Sequence, residues 1–327
     1  MATVNDVLRA LDYLTEGRVL GSQSRNFIVW KNSGIKGKNI LEKPGLVFGE
    51  SDRVINKLAV TMTMSEHDIE LAAATGVDAI VAHHPVADAT SSGGVTLKNY
   101  LTLYGLAVFE LHEAFHGLHP GIPFLHGHQA YYSNLNYGGK EGNVLFAGTT
   151  LPEVKNLGDV LQRLSSFMDL TQQVQAERDI QGNTSIDTIT VKQGEILLGN
   201  KNSEVKNVLH IFPHTGFSVD DLQHAFMEFP ESDTVIASIS RVQADSPLVK
   251  ESNKLGLNFV IGNNHISEIF ENGLPLAFAL DKLLPKVEVV VFRERVTSYP
   301  VKQAGGEQLT TYAEKMASDY LLSKVRV

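Results

Sequence analysis

The chain has 327 residues, a formal net charge of −9 and 43% hydrophobic residues, which is an ordinary globular composition. It has no cysteine, so disulfides, thiolate zinc sites, iron–sulfur clusters and a cysteine nucleophile are excluded. The acidic charge without a basic stripe argues against direct nucleic-acid binding, and no apolar run reaches the roughly 20 residues of a membrane helix. Because the amino terminus lacks a signal-peptide pattern, we expect a cytoplasmic protein.

The first half of the chain alternates between helical and strand patterns. Its predicted elements are a helix over 4–14, a loop over 31–43, a strand over 57–62, a helix over 65–76, a strand over 77–82, a helix over 96–104 and a strand over 106–111. Ser65 and Asp68 form the capping box that starts the second helix, and Gly76 closes it. This alternation predicts a mainly parallel, doubly wound sheet.

The second half returns to the same rhythm after a less regular middle. The glycine-rich stretch 136–148 predicts a strand flanked by turns rather than a phosphate loop, because no Gly-Lys-Ser/Thr follows it. The later predicted elements are helices over 157–168, 219–227, 247–255 and 275–284, and strands over 186–198, 208–212, 234–239, 258–261 and 287–292.

The sequence therefore predicts an α/β fold in which two α/β halves, with mainly parallel or mixed sheets, face a shared cleft. We place the amino-terminal half at 1–150, a central β-containing connecting segment at 151–205 and the carboxy-terminal half at 206–327.

Histidines stand at the carboxyl ends of two predicted strands. His83 and His84 end one strand, and His112 follows the next. Ligands bind at that edge of open α/β sheets, and neutral imidazole is the commonest protein metal ligand. If the turn after the second strand is helical, His112 and His116 share a face. The pattern predicts a cleft lined by ligands for zinc, iron, manganese or nickel, and the alternative is a histidine-rich surface loop.

A weaker group follows the predicted strand 258–261. His265 and Glu268 are three residues apart and can share a helical face, but alone they are better explained as a solvated histidine beside a helix-capping glutamate. Three further candidate pocket groups, each better explained as an ordinary surface or loop histidine, are His126, His128 and His214.

Taken in order, these segments resemble the NIF-three-like family, also called GTP cyclohydrolase I type 2 homologues, which are dinuclear metal-centre proteins. The segment 78–85, a strand ending in His-His-Pro, is similar to the family's hallmark. Residues 44–49 resemble its Asn-Gly-Leu-x-x-Gly segment, 106–116 its strand into His-Thr-x-x-Asp, and 263–268 its Gly-His-x-x-Ser/Thr-Glu motif.

Two positions depart from the family's pattern. The aspartate that normally helps to bridge two metals falls on His116, and an imidazole nitrogen cannot bridge as a carboxylate does. The ligand histidine of the last motif falls on Asn264, with His265 one residue later. Either His265 takes over with altered geometry, or Asn264 is a weak ligand, or one metal position is lost. The chain thus resembles a divergent member with one or two metals.

Residues and resemblance together favour a metal-dependent hydrolase in which a metal-activated water attacks a small substrate, a nucleotide-like molecule being one option. The hypothesised metal ligands are His83, His84, His116, His265 and Glu268. His112 and Glu113 are the candidates for a supporting or proton-transfer role.

Two alternatives stay open beside the hydrolase. One is a non-catalytic metal- or nucleotide-binding protein that acts as a regulator or interaction partner, and the weaker one is a histidine-rich nickel or zinc store. The resemblance also implies a ring-shaped homo-oligomer, commonly a hexamer. The apolar residues Ile122, Phe124 and Tyr131 are the sequence's own indication of such an interface.

Overall fold

The computed structural model describes residues 1–32, 39–86, 94–116, 118–119, 121–140, 142–181, 194–239, 242–264 and 267–293, together with 307, 311, 314 and 315. The chain divides into two compact units. The larger comprises Met1–Met168 and Gln193–Glu294, and the smaller comprises Asp169–Lys192 and Arg295–Val327. Both main sheets belong to the larger unit. The division into three segments made from the sequence stays a prediction.

The strands are numbered in chain order. They are β1 (Ala2–Thr3), β2 (Val29–Asn32), β3 (Asn39–Glu42), β4 (Gly45–Phe48), β5 (Val54–Ile55), β6 (Lys57–Thr61), β7 (Ala79–Ala82), β8 (Ala107–Glu110), β9 (His128–Asn134), β10 (Leu145–Thr150), β11 (Glu195–Leu198), β12 (Asn207–Ile211), β13 (Thr234–Ala237), β14 (Asn258–Ile261) and β15 (Glu288–Val291).

The helices follow the same convention. They are α1 (Val4–Leu14), α2 (Glu66–Thr75), α3 (Gly94–Tyr104), α4 (Gly121–Leu125), α5 (Leu157–Phe167), α6 (Leu170–Gln181, in the smaller unit), α7 (Val219–Glu228), α8 (Pro247–Lys254) and α9 (Leu274–Leu283). A π-helical turn, Ile269–Gly273, runs directly into α9. Among the described residues, no helix is long and apolar enough to cross a membrane.

Two mixed sheets form the body of the larger unit. The first has the strand order β15-β6-β7-β8-β4, in which only β4 runs antiparallel to its neighbour. The second has the order β11-β14-β13-β12-β10-β9, with β12, β13 and β14 parallel and the outer strands antiparallel. The predicted α/β fold with mainly parallel or mixed sheets is confirmed.

Helices cover both faces of the first sheet. Leu11 of α1 and Leu280 of α9 share one core with the strands, while Ile69 of α2 and Leu101 of α3 lie in the core on the other face. Because both faces are covered, β7 and β8 are buried at every residue, as is typical of parallel strands. The sheet therefore presents its polar chemistry only at its edges, where the strands end.

The two ends of α2 agree with the capping residues predicted from the sequence. Ser65 and Asp68 form the predicted capping box, and Gly76 closes the helix with a left-handed φ of 69°. The predicted loop over 31–43 was wrong, because β2 and β3 pair there as an antiparallel hairpin. In this hairpin the large apolar side chain of Trp30 is exposed, and a charged residue, Glu42, is buried opposite Val29, so the sequence shows no clear apolar alternation.

Candidate metal centre

His83 and His84 directly follow β7, where the backbone still pairs with the neighbouring chain segment. The amide of His83 donates to the carbonyl of Thr61 over 3.0 Å, and that of His84 donates to Met62 over 2.8 Å. The two imidazole centroids are 5.4 Å apart with planes tilted by 47°. Both side chains thus reach the carboxyl edge of the first sheet, as the sequence predicted.

His83 is oriented by a backbone carbonyl. Its Nδ1 donates to the carbonyl oxygen of Leu111 over 2.9 Å, and its side chain is fully buried. Since a carbonyl oxygen only accepts hydrogen bonds, Nδ1 carries the proton and Nε2 carries an unshared lone pair. Burial, partly opposed by Glu268, lowers the pKa of His83 to about 4, so the ring is neutral at pH 7. A neutral imidazole held in this way is the usual form of a metal ligand.

Glu268 is the carboxylate of the centre. It precedes the π-helical turn, and its Oε1 accepts a hydrogen bond from the Asn272 amide nitrogen over 2.9 Å. Its Oε2 lies 3.1 Å from His84 Nε2, and its Oε1 lies 3.6 Å from His83 Nε2. Burial acts to raise the pKa of Glu268, but the neighbouring imidazole of His84 outweighs it and holds this pKa well below its ordinary value.

His112 is paired with a residue that no sequence motif singled out. Its Nδ1 donates to Oε1 of Glu42, which is buried at the end of β3, 70 residues away in the chain. The Nε2 of His112 is therefore the lone pair of a neutral ring. Burial, reinforced by the neighbouring His116 and His83, lowers the pKa of His112 well below its ordinary value. A carboxylate that holds a histidine in this way is the common support of a metal ligand.

The segment after β8 is a turn, whereas the sequence analysis allowed for a helix there. The amide of Phe115 donates to the carbonyl of His112 over 2.8 Å. The turn still brings His112 and His116 together, with ring centroids 4.6 Å apart. Glu113 lies beside both rings, at 3.7 Å from His112 Nδ1 and 3.5 Å from His116 Nδ1.

Among the described residues, three overlapping sets of side chains have ligand atoms within 4.8 Å of one another. They are His83 with His112 and His116, His83 with His84 and Glu268, and Glu42 with His112 and Glu113. We call the five residues of the first two sets, His83, His84, His112, His116 and Glu268, the metal group. Imidazole nitrogens with one carboxylate suit zinc, iron, manganese or nickel.

The donor set itself fits a cation. His83 Nε2 is a lone pair, and it faces the ionised Glu268 carboxylate at 3.6 Å. Two electron-rich atoms at this separation repel each other unless a positive charge, or the donor nitrogen of Asn272 at 3.4 Å from His83 Nε2, lies between them. A divalent metal held by the metal group would satisfy both atoms at once.

The last predicted motif is only partly within the described residues. His265 lies outside them, so its role as a ligand stays a prediction. Asn264 is described, and its Oδ1 accepts hydrogen bonds from the amide and the hydroxyl of Ser267, both at 3.1 Å. This side-chain oxygen is therefore engaged in capping the turn that leads to Glu268.

A second histidine cluster joins strands of the second sheet to the turn before β9. It consists of His126, Ser238, His210 and His128, all fully buried, and we call it the histidine chain. His126 Nδ1 donates to the Ile122 carbonyl over 2.7 Å, and its Nε2 lies 2.9 Å from Ser238 Oγ. Ser238 Oγ lies 2.8 Å from His210 Nε2, and His210 Nδ1 lies 2.9 Å from His128 Nε2.

The Ile122 carbonyl places the His126 proton on Nδ1, and the Asn263 backbone amide also donates to His126 Nε2 over 3.1 Å. With His126 protonated on Nδ1, its Nε2 accepts from Ser238, Ser238 accepts from His210 Nε2, and His210 Nδ1 accepts from His128 Nε2. His126, in the turn before β9, and His128, the first residue of β9, are thus buried groups whose hydrogen bonds join them to the second sheet. A Cβ at Gly262 would collide with His126 Nε2 and Ser238 Oγ, which explains the glycine.

A cavity of about 820 Å³ opens on the metal group. Residues of both sheets line it, since His84, Glu113 and Glu268 stand at one end while Phe146 and Phe212 come from the second sheet. His214, one of the three further candidate pocket groups of the sequence analysis, also lines the cavity. The cavity thus lies where the carboxyl ends of the parallel strands of both sheets are found, which is the expected ligand position in such folds.

The segment that carries the His-His-Pro motif is similar to a known protein family. Residues 35–92 match the family model Duf34/NIF3 (NGG1p interacting factor 3). The predicted resemblance to the NIF3 family is confirmed. The match to NIF3 includes His83 and His84 of the metal group, whereas the sequence as a whole matches no curated protein.

Solved structures share the NIF3 fold over nearly their whole length. A Bacillus cereus protein related to NIF3 is 12% identical, with a TM-score of 0.55, and the match covers 91% of this chain and 99% of that one. Reduced HcgD from Methanocaldococcus jannaschii is 15% identical, with a TM-score of 0.57, over 89% and 97%. The Staphylococcus aureus protein SA1388 is 12% identical, with a TM-score of 0.53, over 91% and 98%. At such identities the likeness concerns the fold alone.

Proposed function

We propose that this protein is a metal-dependent hydrolase acting on a small molecule. The observation that carries the proposal is His83, whose Nδ1 is held by the Leu111 carbonyl so that its lone pair on Nε2 faces Glu268. His84, His116 and Glu268 are the other proposed ligands, with His265 as a further candidate. We assign His112 to the ligands as well, because its Nδ1 is engaged by Glu42.

A divalent transition metal in this group would supply Lewis acidity and lower the pKa of a water molecule to about 7. The protein's own part is to hold the ligands and to move a proton. Glu113 lines the cavity, and its Oε1 and Oε2 lie beside the Nδ1 atoms of His112 and His116. We propose that the Glu113 carboxylate accepts the proton of the attacking water and passes it to the leaving group.

The cavity favours catalysis over the alternative of a purely regulatory metal protein. A metal enclosed by protein ligands alone has no room for a substrate, whereas this metal group adjoins a cavity of about 820 Å³. A homo-oligomer, with a hexamer as the specific proposal, remains compatible with the fold. Phe124 and Tyr131 are 43% and 54% exposed and are the candidates for such an interface, while Ile122 lines the cavity.

The first test is elemental analysis of purified, tag-free protein beside the His83→Ala/His84→Ala double variant. We expect one or two equivalents of transition metal per chain in the wild type and none in the double variant, with the melting curve showing both folded. A His67→Ala/His224→Ala double variant is the matched control, because both histidines are exposed, and it should keep its metal. Wild-type protein without metal, even after reconstitution, would refute the proposal.

The second test separates a hydrolase from a regulator. We expect the metal-loaded protein to hydrolyse p-nitrophenyl acetate, and Glu113→Gln to lower kcat by about 100-fold with unchanged metal content, since a positioned proton acceptor contributes about 10²–10⁴-fold. A fully loaded protein that shows no turnover above the free metal would favour the regulatory alternative.

A further inference from the structure

We infer that the cavity beside the metal group binds an uncharged, flat and mainly apolar molecule, with a carbonyl-type oxygen directed at the metal. The inference rests on the proposed function for the position of the reacting end, and it adds the chemical class of the substrate. It argues against the nucleotide-like option, because a nucleotide brings charged phosphates into a space whose described walls carry no lysine or arginine.

The walls of the cavity are apolar and partly aromatic. Phe146 and Phe212 meet edge to face, with centroids 5.9 Å apart and planes at 76°. Further apolar side chains of the wall include Ile122, Leu135, Val144 and Ile239. A volume of about 820 Å³ is in the range of small-molecule sites, which run from about 300 to 1,000 Å³. Rings held between such walls bind through apolar contact and edge-to-face geometry.

Away from the metal, the described part of the cavity offers an anionic ligand no positively charged side chain. Glu113 and Glu268 stand at the metal end, and among the described lining residues there is no lysine or arginine. Proteins bind phosphates with arginine, lysine or several backbone amides, which give the charge-assisted hydrogen bonds that offset desolvation. At the far end the Thr215 hydroxyl already donates to the Phe212 carbonyl over 2.7 Å. Away from the metal, a phosphate group would therefore find hydroxyls and neutral imidazoles but no lysine or arginine among the described lining residues.

Ile239 provides an independent sign that this wall is a binding surface. It lines the cavity just after β13 with a φ of 54°, which is a strained, left-handed conformation for a β-branched residue. Its amide donates to the Asn263 carbonyl over 2.9 Å, and the preceding Ser238 belongs to the histidine chain. Strained backbone of this kind persists at ligand sites because the surrounding structure enforces it.

The experiment titrates metal-free protein with 2-naphthamide and with GTP, followed by isothermal calorimetry, and compares Phe146→Ala with Phe278→Ala. Phe278 is 66% exposed and does not line the cavity, so it is the matched control. We expect 2-naphthamide to bind the wild type, Phe146→Ala to weaken binding by about tenfold through lost apolar contact, and Phe278→Ala to leave it unchanged. GTP should neither bind nor compete.

Binding of GTP in competition with 2-naphthamide, or no binding of 2-naphthamide to folded wild type, would overturn the inference. If Phe146→Ala fails to fold, Phe212→Leu replaces it, with the same expected loss relative to Phe278→Ala. Because the titration uses metal-free protein, it does not depend on the metal analysis. If the protein binds 2-naphthamide but never binds metal, the proposed hydrolase function is refuted. The inference that the cavity binds an uncharged, flat and mainly apolar molecule is then still supported.

Discussion

The metal group and the histidine chain are two buried histidine clusters of the same unit that differ in what occupies their ring nitrogens. In the metal group, His83 and His112 each give one nitrogen to an acceptor-only oxygen and keep a lone pair on the other. In the histidine chain, both nitrogens of His126 and of His210 bond to protein partners. Burial and density of histidines are common to both clusters, so the feature that distinguishes the candidate metal ligands is a ring nitrogen whose lone pair faces the other candidate donors.

The clusters also differ in what they face. The metal group borders a cavity, so its lone pairs are available to a ligand that enters. The histidine chain ends at His128 Nδ1, which is buried and has no hydrogen-bond partner among the described residues. A buried acceptor without a hydrogen-bond donor lowers the stability of the folded protein. We therefore expect the metal group to govern metal binding, and the histidine chain to govern stability and its dependence on pH.

The largest expected effect concerns acid stability. Burial lowers the pKa of His126 to about 4 and that of His128 to about 3, from an ordinary 6.5. As the pH falls below 6.5 the unfolded chain gains protons that the folded chain cannot accept, so stability is lost from pH 6.5 down to about 4 for His126 and about 3 for His128. His128→Gln removes one such group and should shrink the stability lost between pH 7 and pH 4 by about 3 kcal/mol.

Urea unfolding at the two pH values measures this loss, since the midpoint and slope give the free energy of unfolding. His224→Gln is the control, because His224 is exposed on α7, and it should keep the wild-type difference between pH 7 and pH 4. Metal content should be unchanged in both variants. If His128→Gln lost metal, or kept the full acid sensitivity, the assignment of the two clusters to different roles would be wrong.

The second prediction concerns Glu42, which holds His112. Glu42→Gln should weaken metal affinity by about 10- to 100-fold, because a neutral amide makes His112 a less basic and less firmly oriented ligand. Competition with a chelating dye measures the affinity. Glu110→Gln is the control, since that buried carboxylate accepts the backbone amides of Lys43 and Val86 rather than a histidine. Equal affinity in Glu42→Gln and wild type would remove His112 from the metal group.

The sequence predicted the features that depend on neighbours along the chain. The capping box at Ser65, the strand before His83 and the carboxyl-edge position of both histidines all follow from local pattern and the rules of parallel sheets. Glu42 could not be found in this way, because it reaches His112 across 70 residues from a hairpin without apolar alternation. The histidine chain was missed for the same reason, since its bonds join distant strands.

The smallest expected effect tests Ile239, where the histidine chain meets the cavity next to the metal group. Ile239→Gly and Ile239→Ala both remove the side chain, but only glycine adopts a φ of 54° without strain. The glycine variant should therefore be more stable than the alanine variant by about 1 kcal/mol, measured by urea unfolding. At Ile236, inside β13, the same pair should show the opposite order, because alanine suits a regular strand better than glycine does. If alanine were the more stable substitution at both positions, Ile239 would not be strained, and the cavity wall would lose its independent support as a binding surface.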